Sequence, residues 1–200
     1  MSTEVENSFL ATLTYEAGLD ARNNPINVPI DFSYTTLVSD TNTSAVNSAG
    51  DVSAHFENIP DQYLYANVLA ENPVLLYFRY IESTGFYNIW VRDGKQFGKS
   101  IAKSNNGYIY ADSGGKRVGD FNLIRKGQKI TLGDIEGDSE ASIHLQLIAG
   151  GSGVNLELYN RITPDPHAPD RWYAYVVDKG FGNAHLTLHI SKRNVDYINP

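Results

Sequence analysis

The sequence predicts an all-β fold, and three observations support this prediction. Apolar and polar side chains alternate with a period of two in several short runs, as in strands that bury one face. Turn residues such as Asp-Gly and Asn-Gly separate these runs at intervals of about 8–14 residues. The alternating helix–strand spacing of parallel sheets is missing from the sequence. We therefore expect an antiparallel β-sandwich of about ten strands with one short helix, and a β-trefoil-like barrel as the alternative.

The strands follow from the alternation itself. The strongest are predicted at residues 74–81, 86–92, 142–148, 154–159 and 185–190, with an aromatic and β-branched run at 172–178. Weaker strands are predicted at residues 26–38, 108–111, 120–124 and 129–132. Residues 8–16 are also interpreted as a strand, because Thr12 and Thr14 favour it over the helical spacing of Val5, Phe9 and Leu13.

The short helix is predicted between Pro60 and Asn72. Proline suits the first helical position, an acid follows at Asp61, and Pro73 comes directly after the expected end. The run Tyr63-Leu64-Tyr65 also fits a strand, which remains the competing interpretation.

Length and composition limit the classes of protein to which the chain can belong. Its 200 residues, 42% of them hydrophobic, predict one all-β domain over residues 1–200. The absence of cysteine excludes disulfides, thiolate metal sites and cysteine nucleophiles. Only residues 87–124 look like one unit of a trefoil, so no internal repeat is predicted.

The start of the chain is polar and acidic, unlike a signal peptide, and the sequence contains no run of the roughly 20 apolar residues that a membrane span needs. We therefore expect a soluble chain. It would be cytosolic, a mature form that has lost a leader, or a protein released without one.

Charge is unevenly distributed along the chain, whose net charge is −7. Residues 92–129, named here the basic middle, carry nine Lys and Arg against three Asp, a net of +6. Residues 1–82 carry a net of −9 and residues 130–200 a net of −4. The overall acidity therefore does not exclude an anionic partner for the basic middle.

The basic middle and its aromatic residues are the first candidate binding surface. Cations among aromatic rings suit anions with apolar bodies, such as anionic lipid headgroups or acidic sugars. The alternative is that these cations protect turns and edge strands from aggregation. The candidate ligand-binding residues are Trp90, Arg92, Lys99, Tyr108, Tyr110, Lys116 and Arg117.

A second candidate surface follows a proline-rich segment at residues 163–170. Trp172 could stack on a sugar ring while Asp170 and Arg171 reach its hydroxyls. A Trp172 buried in the core is the competing interpretation. The high tyrosine count, 13 of 23 aromatic residues, adds support for a binding surface.

Motifs for catalysis or cofactor binding are incomplete. Residues 94–100 have one residue too few between their glycines for a phosphate-binding loop, so they predict a hairpin. Four carboxylates at alternate positions in residues 134–140 favour a solvated turn, with part of a calcium site as the alternative. The five histidines show no ligand spacing. We therefore predict no catalytic residues and no cofactor, and the sequence leaves a metal site undecided.

The last strand carries a family resemblance. The run is Lys179-Gly180-Phe181-Gly182-Asn183-Ala184-His185-Leu186-Thr187-Leu188-His189-Ile190-Ser191-Lys192. It resembles the last strand of actinoporin-like β-sandwich cytolysins, which are also free of cysteine and of similar length. The resemblance covers 14 residues, and the family's aromatic headgroup-binding cluster has no counterpart in this sequence. It implies a β-sandwich that acts on membranes.

Together these observations predict a non-enzymatic recognition protein, lectin-like or toxin-like, that binds a glycan or an anionic lipid surface. A membrane-damaging pore-forming cytolysin and a β-sandwich hydrolase are the alternatives. No specific nucleic acid is expected as a partner, and association into a homo-oligomer is left open.

Overall fold

In the structure, a computed structural model, almost all of the regular elements are strands. The structure describes residues 2–19, 22–23, 25–38, 55–114, 117–135, 137, 139–160, 173–182 and 184–196. The strands are β1 (Phe9–Leu19), β2 (Pro25–Val38), β3 (His55–Asn67), β4 (Leu76–Ile81), β5 (Phe86–Val91), β6 (Ser100–Lys103), β7 (Ile109–Asp112), β8 (Asp120–Arg125), β9 (Gln128–Ile130), β10 (Glu140–Leu147), β11 (Glu157–Asn160), β12 (Tyr173–Val177) and β13 (Leu186–Arg193). One short helix, α1 (Thr3–Asn7), and two 3-10 turns (Gly94–Gln96 and Leu132–Ile135) complete the described elements.

The sheet closes on itself as an antiparallel barrel. Nine strands pair in the order β1, β2, β3, β7, β6, β5, β8, β10 and β13, and β13 pairs back with β1. The predicted β-sandwich is therefore wrong, and so is the sandwich implied by the cytolysin resemblance. Closure pairs both edges of every strand in the ring, whereas a sandwich leaves edge strands open.

Strand β4 crosses this ring, because it pairs with β1 on one side and β5 on the other. It thereby completes an inner circuit of six strands, which are β1, β4, β5, β8, β10 and β13. Most of the remaining strands form three antiparallel pairs, β2–β3, β6–β7 and β11–β12. Each pair lies in the chain between two strands of the inner circuit.

The three strand pairs leave the inner circuit at one end, named here the hairpin end. Strands β1, β5 and β10 run in the same direction, since each is separated from the next by one antiparallel strand, and each leads into a pair. The opposite end, the far end, gathers α1, the turn at residues 82–85 and the turn Leu132–Ile135. Hydrogen bonds join these parts, from the Glu82 amide to Glu4 and from the Gly133 amide to Asn7.

Aromatic side chains fill the inner circuit. Phe9 of β1 and Phe78 of β4 are fully buried and stack with their ring centroids 4.7 Å apart. Tyr87 of β5 meets the edge of Phe9 at 5.7 Å, and its hydroxyl accepts a hydrogen bond from the Leu132 amide at 3.0 Å. Burial raises the pKa of Tyr87 well above its ordinary value. These rings hold β1, β4 and β5 together through side chains as well as backbone pairing.

The predicted helix between Pro60 and Asn72 is wrong, because most of this segment belongs to β3. Ser33 pairs with Pro60 and Asp31 with Tyr65, so β3 bulges by three extra residues opposite β2. The bulge accommodates Pro60, which has no amide hydrogen for the ladder. Tertiary pairing thus overrides the local helix signals. The helix of the structure lies instead at α1, and the strand predicted for residues 8–16 is present as β1.

Candidate functional site

Tyrosines line the outer side of the hairpin end. Leu64 and Ala66 of β3 point into the core, so the alternation turns Tyr63 and Tyr65 outward. The second strand of each pair repeats this arrangement, as Tyr108 and Tyr110 alternate with Ile109, and Tyr173 and Tyr175 with Ala174. In the register of the strands, Tyr63 lies opposite Tyr110 and Tyr65 opposite Tyr175.

The outward rings form one continuous surface, named here the tyrosine face. Tyr175 lies at its centre, with ring centroids at 4.5 Å from Tyr65, 4.8 Å from Tyr108 and 6.0 Å from Tyr63. Its members are Tyr34, Tyr63, Tyr65, Tyr108, Tyr110, Tyr159, Tyr173 and Tyr175. Tyr65 and Tyr173 are buried, whereas Tyr159 is 47% exposed. The face therefore has a fixed base of packed rings and an accessible edge.

Carboxylates accept hydrogen bonds from the hydroxyls of the face. The Tyr65 hydroxyl donates to Asp61, and the Tyr110 hydroxyl donates to Asp112 at 3.2 Å. Burial first, and then the neighbouring carboxylate, raises the pKa of both tyrosines above the ordinary value. Both therefore remain neutral hydrogen-bond donors under ordinary conditions.

One end of the face carries an ammonium group between two rings. Lys179 Nζ lies 3.9 Å from the Tyr159 ring centroid and 4.6 Å from that of Tyr108. A second cation, Lys103, forms an ion pair of 3.2 Å with the buried Asp178. Both ammonium groups are thus engaged by the protein itself.

Glu157, on the same strand as Tyr159, adds an unmet acceptor. Strand alternation places its side chain on the same side of β11 as Tyr159, and the residue is only 8% exposed. Its buried Oε1 has no hydrogen-bond partner in the part of the chain that the structure describes. A buried carboxylate oxygen without a donor is unfavourable, and this oxygen is closed to solvent.

Two of the predicted site residues, Tyr108 and Tyr110, belong to the tyrosine face. Lys99 and Arg117 lie at its edge. Lys99 donates to Gln96, which in turn donates to the Asp61 carbonyl at 2.7 Å, and the Arg117 amide donates to Asp112.

Trp90 and Arg92 lie away from the face, on β5 and just beyond its end. Trp90 pairs with Ser100, and its buried Nε1 has no hydrogen-bond partner within the described ranges. Arg92 is 9% exposed, with its guanidinium 5.2 Å from the Tyr77 ring centroid. The other predicted residues, Lys116, Asp170, Arg171 and Trp172, lie outside the described residues.

The cations of the basic middle are divided between the two ends of the barrel. Lys103 belongs to the hairpin end, where it pairs with Asp178. Lys129 lies toward the far end, with its ammonium 4.4 Å from the ring centroid of Phe86. Because successive strands carry the chain from one end to the other, neighbouring cations in sequence become distant in space.

The histidines and the acidic segment form local contacts. His144 and His185 rings lie 4.4 Å apart, and His189 contacts Thr14 at 2.9 Å and Glu140 at 3.1 Å. Within residues 134–140, Glu136 and Asp138 are outside the described residues, so the calcium alternative stays a prediction. Among the residues that the structure does describe, no three His, Asp or Glu cluster closely enough to hold a metal ion.

The sequence interpretation missed six members of this surface, which are Tyr34, Tyr63, Tyr65, Tyr159, Tyr173 and Tyr175. A signal was present, because Tyr-Leu-Tyr, Tyr-Ile-Tyr and Tyr-Ala-Tyr occur at residues 63–65, 108–110 and 173–175. Each triplet falls on the second strand of a pair at the hairpin end, except that Tyr108 lies one residue before β7. The spacing of two aims both tyrosines of each triplet to the same side.

Comparison with known protein families, curated proteins and solved structures finds no match to this chain. None of the helices in the described ranges has the length and apolar character needed to cross a membrane.

Titration of the tyrosines at high pH is a direct test of this packing. Burial raises the pKa of Tyr65, Tyr77, Tyr87 and Tyr110 above the ordinary 10.0. Their contribution to stability is fully present below pH 10, where unfolded tyrosines are also protonated. It is lost as the pH rises further, because the unfolded chain ionises first. We expect tyrosinate absorbance to show one group of tyrosines that ionises at higher pH than the others. Urea unfolding should show a free energy of unfolding that falls above pH 10. Ionisation of all 13 tyrosines in one step, with the chain still folded, would contradict the packing.

Proposed function

We propose that the protein is a non-enzymatic glycan-binding protein whose ligand lies across the tyrosine face. The observation that carries this proposal is the continuous contact of eight tyrosine rings from three strand pairs. Such a surface is mostly preformed, carries hydroxyl groups and is most accessible at Tyr159, which favours a ligand with both apolar faces and polar groups.

Tyrosine suits sugars for a physical reason. A sugar ring has faces of C–H groups and edges of hydroxyls, while a tyrosine offers an apolar ring and one hydroxyl with few rotatable bonds. Acceptors for sugar hydroxyls lie beside the rings in Asp61 and Asp112. Stacking and hydrogen bonding can therefore act on the same ligand.

Charge favours a glycan over the anionic lipid surface that the sequence also allowed. The carboxylates of Asp61, Asp112 and Glu157 border the face, and Lys103 is neutralised by Asp178. This leaves Lys179 as the main cation that contacts its rings among the described residues, together with Lys99 and Arg117 at the edge. The carboxylates and cations named here balance, so an anionic surface gains no net attraction from them.

We also infer that the barrel is of the β-trefoil type, the alternative that the sequence left open. The inner circuit of six strands and the three strand pairs at one end support this form. The barrel then consists of three successive units of four strands, at residues 9–81, 86–125 and 140–193, and β9 is an additional strand. The middle unit coincides with the one that the sequence singled out.

The experiment is a screen of immobilised neutral and acidic oligosaccharides with the intact chain and a Tyr159→Ala variant. Tyr159 is half exposed, so its removal should leave the fold intact. We expect wild-type binding to at least one neutral glycan and a loss of about tenfold or more in affinity for the variant, the effect of removing a binding hot spot. Phe86→Ala is the matched control, because Phe86 lies toward the far end, and it should bind normally.

Other outcomes would overturn the proposal in favour of its alternatives. Retention on anionic vesicles with no glycan binding would favour a lipid surface, and release of vesicle contents would favour a cytolysin. Cleavage of a bound oligosaccharide would favour a hydrolase. Equal glycan affinity of the wild type and Tyr159→Ala would remove the tyrosine face from the site.

A further inference from the structure

A polar pocket borders the tyrosine face at the first strand pair. It has a volume of about 590 Å³ and is lined by Asp31, Phe56 and Asn58 of β2–β3 and by residues 69–72. Asp31 is the register partner of Tyr65 across β2 and β3. The pocket therefore lies beside the buried base of the face. Its size is within the range of small-molecule sites.

The wall formed by Asn58 is held rigidly. The Asn58 amide donates to the Leu69 carbonyl at 3.0 Å and accepts from the side chain of Asn67 at 2.6 Å. Asn67 is fully buried and also accepts hydrogen bonds from Thr35 Oγ1 at 2.8 Å and the Leu69 amide at 3.1 Å. The pocket is thus preformed, which lowers the entropy lost on binding.

The lining selects for positive charge. The lining includes two carboxylates, Asp31 and Glu71, and an aromatic ring, Phe56, and the described lining contains no Lys or Arg. Asp31 accepts one hydrogen bond, from the Ser33 hydroxyl. Its negative charge adds to burial in raising the pKa of Asp93. An ammonium group near carboxylates and an aromatic face is stabilised by both.

We propose that this pocket binds the ammonium group of an amino sugar within a glycan that extends over the tyrosine face. The inference rests on the proposed glycan-binding function and specifies its substrate class. The face supplies stacking for the sugar rings, and the pocket supplies Asp31 and Glu71 for the amine. An N-acetylated amine is neutral, so it would lose the charged contact while retaining the stacking.

The test compares two β-linked glucosamine oligomers of equal length, one with free amines and one fully N-acetylated, by titration calorimetry. We expect the free-amine form to bind about tenfold more tightly, as for a hydrogen bond to a charged group, with a preference that shrinks as salt is added. The double variant Asp31→Asn, Glu71→Gln should lose this preference and bind the N-acetylated form as the wild type does. The matched control is Glu6→Gln, Glu82→Gln, which removes the same charge near the far end and should keep the preference.

The possible results distinguish the amino-sugar assignment from the proposed glycan-binding function on which it rests. Equal affinity of the wild type for the two forms would overturn the amino-sugar assignment and leave glycan binding intact. Binding of neither form, together with a negative glycan screen, would overturn both. If the double variant folds and still prefers the free-amine oligomer, the amine does not bind at Asp31 and Glu71, and the assignment of this pocket is wrong. If that variant fails to fold, the comparison of the two oligomers on the wild-type chain still decides.

Discussion

Replacing Phe78 with alanine is expected to lower the free energy of unfolding by about 3–5 kcal/mol, the usual cost of deleting a buried phenylalanine. Phe78 is fully buried, stacks on Phe9 at 4.7 Å and meets Tyr87 at 6.4 Å. Its strand, β4, joins β1 to β5, so the cavity would open where three strands meet. Urea unfolding at neutral pH measures the change.

The matched control is Phe181→Ala. Phe181 is 85% exposed, so its removal should change the free energy of unfolding by less than about 0.5 kcal/mol. A loss below about 1 kcal/mol for Phe78→Ala would be incompatible with a filled inner circuit. That result would instead favour an open arrangement of sheets over the closed barrel.

The second large effect is expected from Asn67→Ala, which should lower the free energy of unfolding by about 3 kcal/mol, since it leaves several buried polar groups without partners. The amide of Asn67 binds the Thr35 hydroxyl, the Leu69 amide and the Ser33 carbonyl at 2.8, 3.1 and 2.9 Å. Asn58 would also lose the hydrogen bond from the Asn67 side chain. The preference of the pocket for a free amine should therefore weaken. Urea unfolding and calorimetry measure the two effects.

Asn105→Ala serves as the control for this variant. Asn105 is exposed in the turn between β6 and β7, where an alanine should be nearly neutral for stability and for binding. If Asn67→Ala proved as stable as Asn105→Ala, the polar network between β2, β3 and the segment after β3 could not be the support of the pocket.

Most strands could be predicted because their signal is local. The alternation that predicted residues 142–148 and 185–190 gave β10 (Glu140–Leu147) and β13 (Leu186–Arg193) to within a few residues. Closure could not be predicted in the same way. A period of two tells which side chains face inward, but a sandwich and a barrel both bury one face of each strand. The partners of β4 are set by long-range packing, which the alternation does not encode.

The candidate site could be predicted only in part, for a similar reason. Tyr108 and Tyr110 were found because they lie close in sequence to several cations. Tyr63 contacts Tyr110 across 47 residues of sequence, and Tyr175 contacts Tyr108 across 67. Charge clustering was misleading as a guide to a surface, since Lys103 and Lys129 end up toward opposite ends of the barrel. The sequence composition shows which residue types are available for a site, whereas the topology of the fold determines which of them come into contact.

The three Tyr-x-Tyr strands have a consequence for the history of the chain. Each of the three units contributes two strands to the inner circuit and one pair to the hairpin end. A shorter ancestral chain with a single unit could close the same barrel only by assembling as a trimer, with the tyrosines of its three copies meeting around the symmetry axis. Duplication and fusion into one polypeptide would then free each copy to diverge.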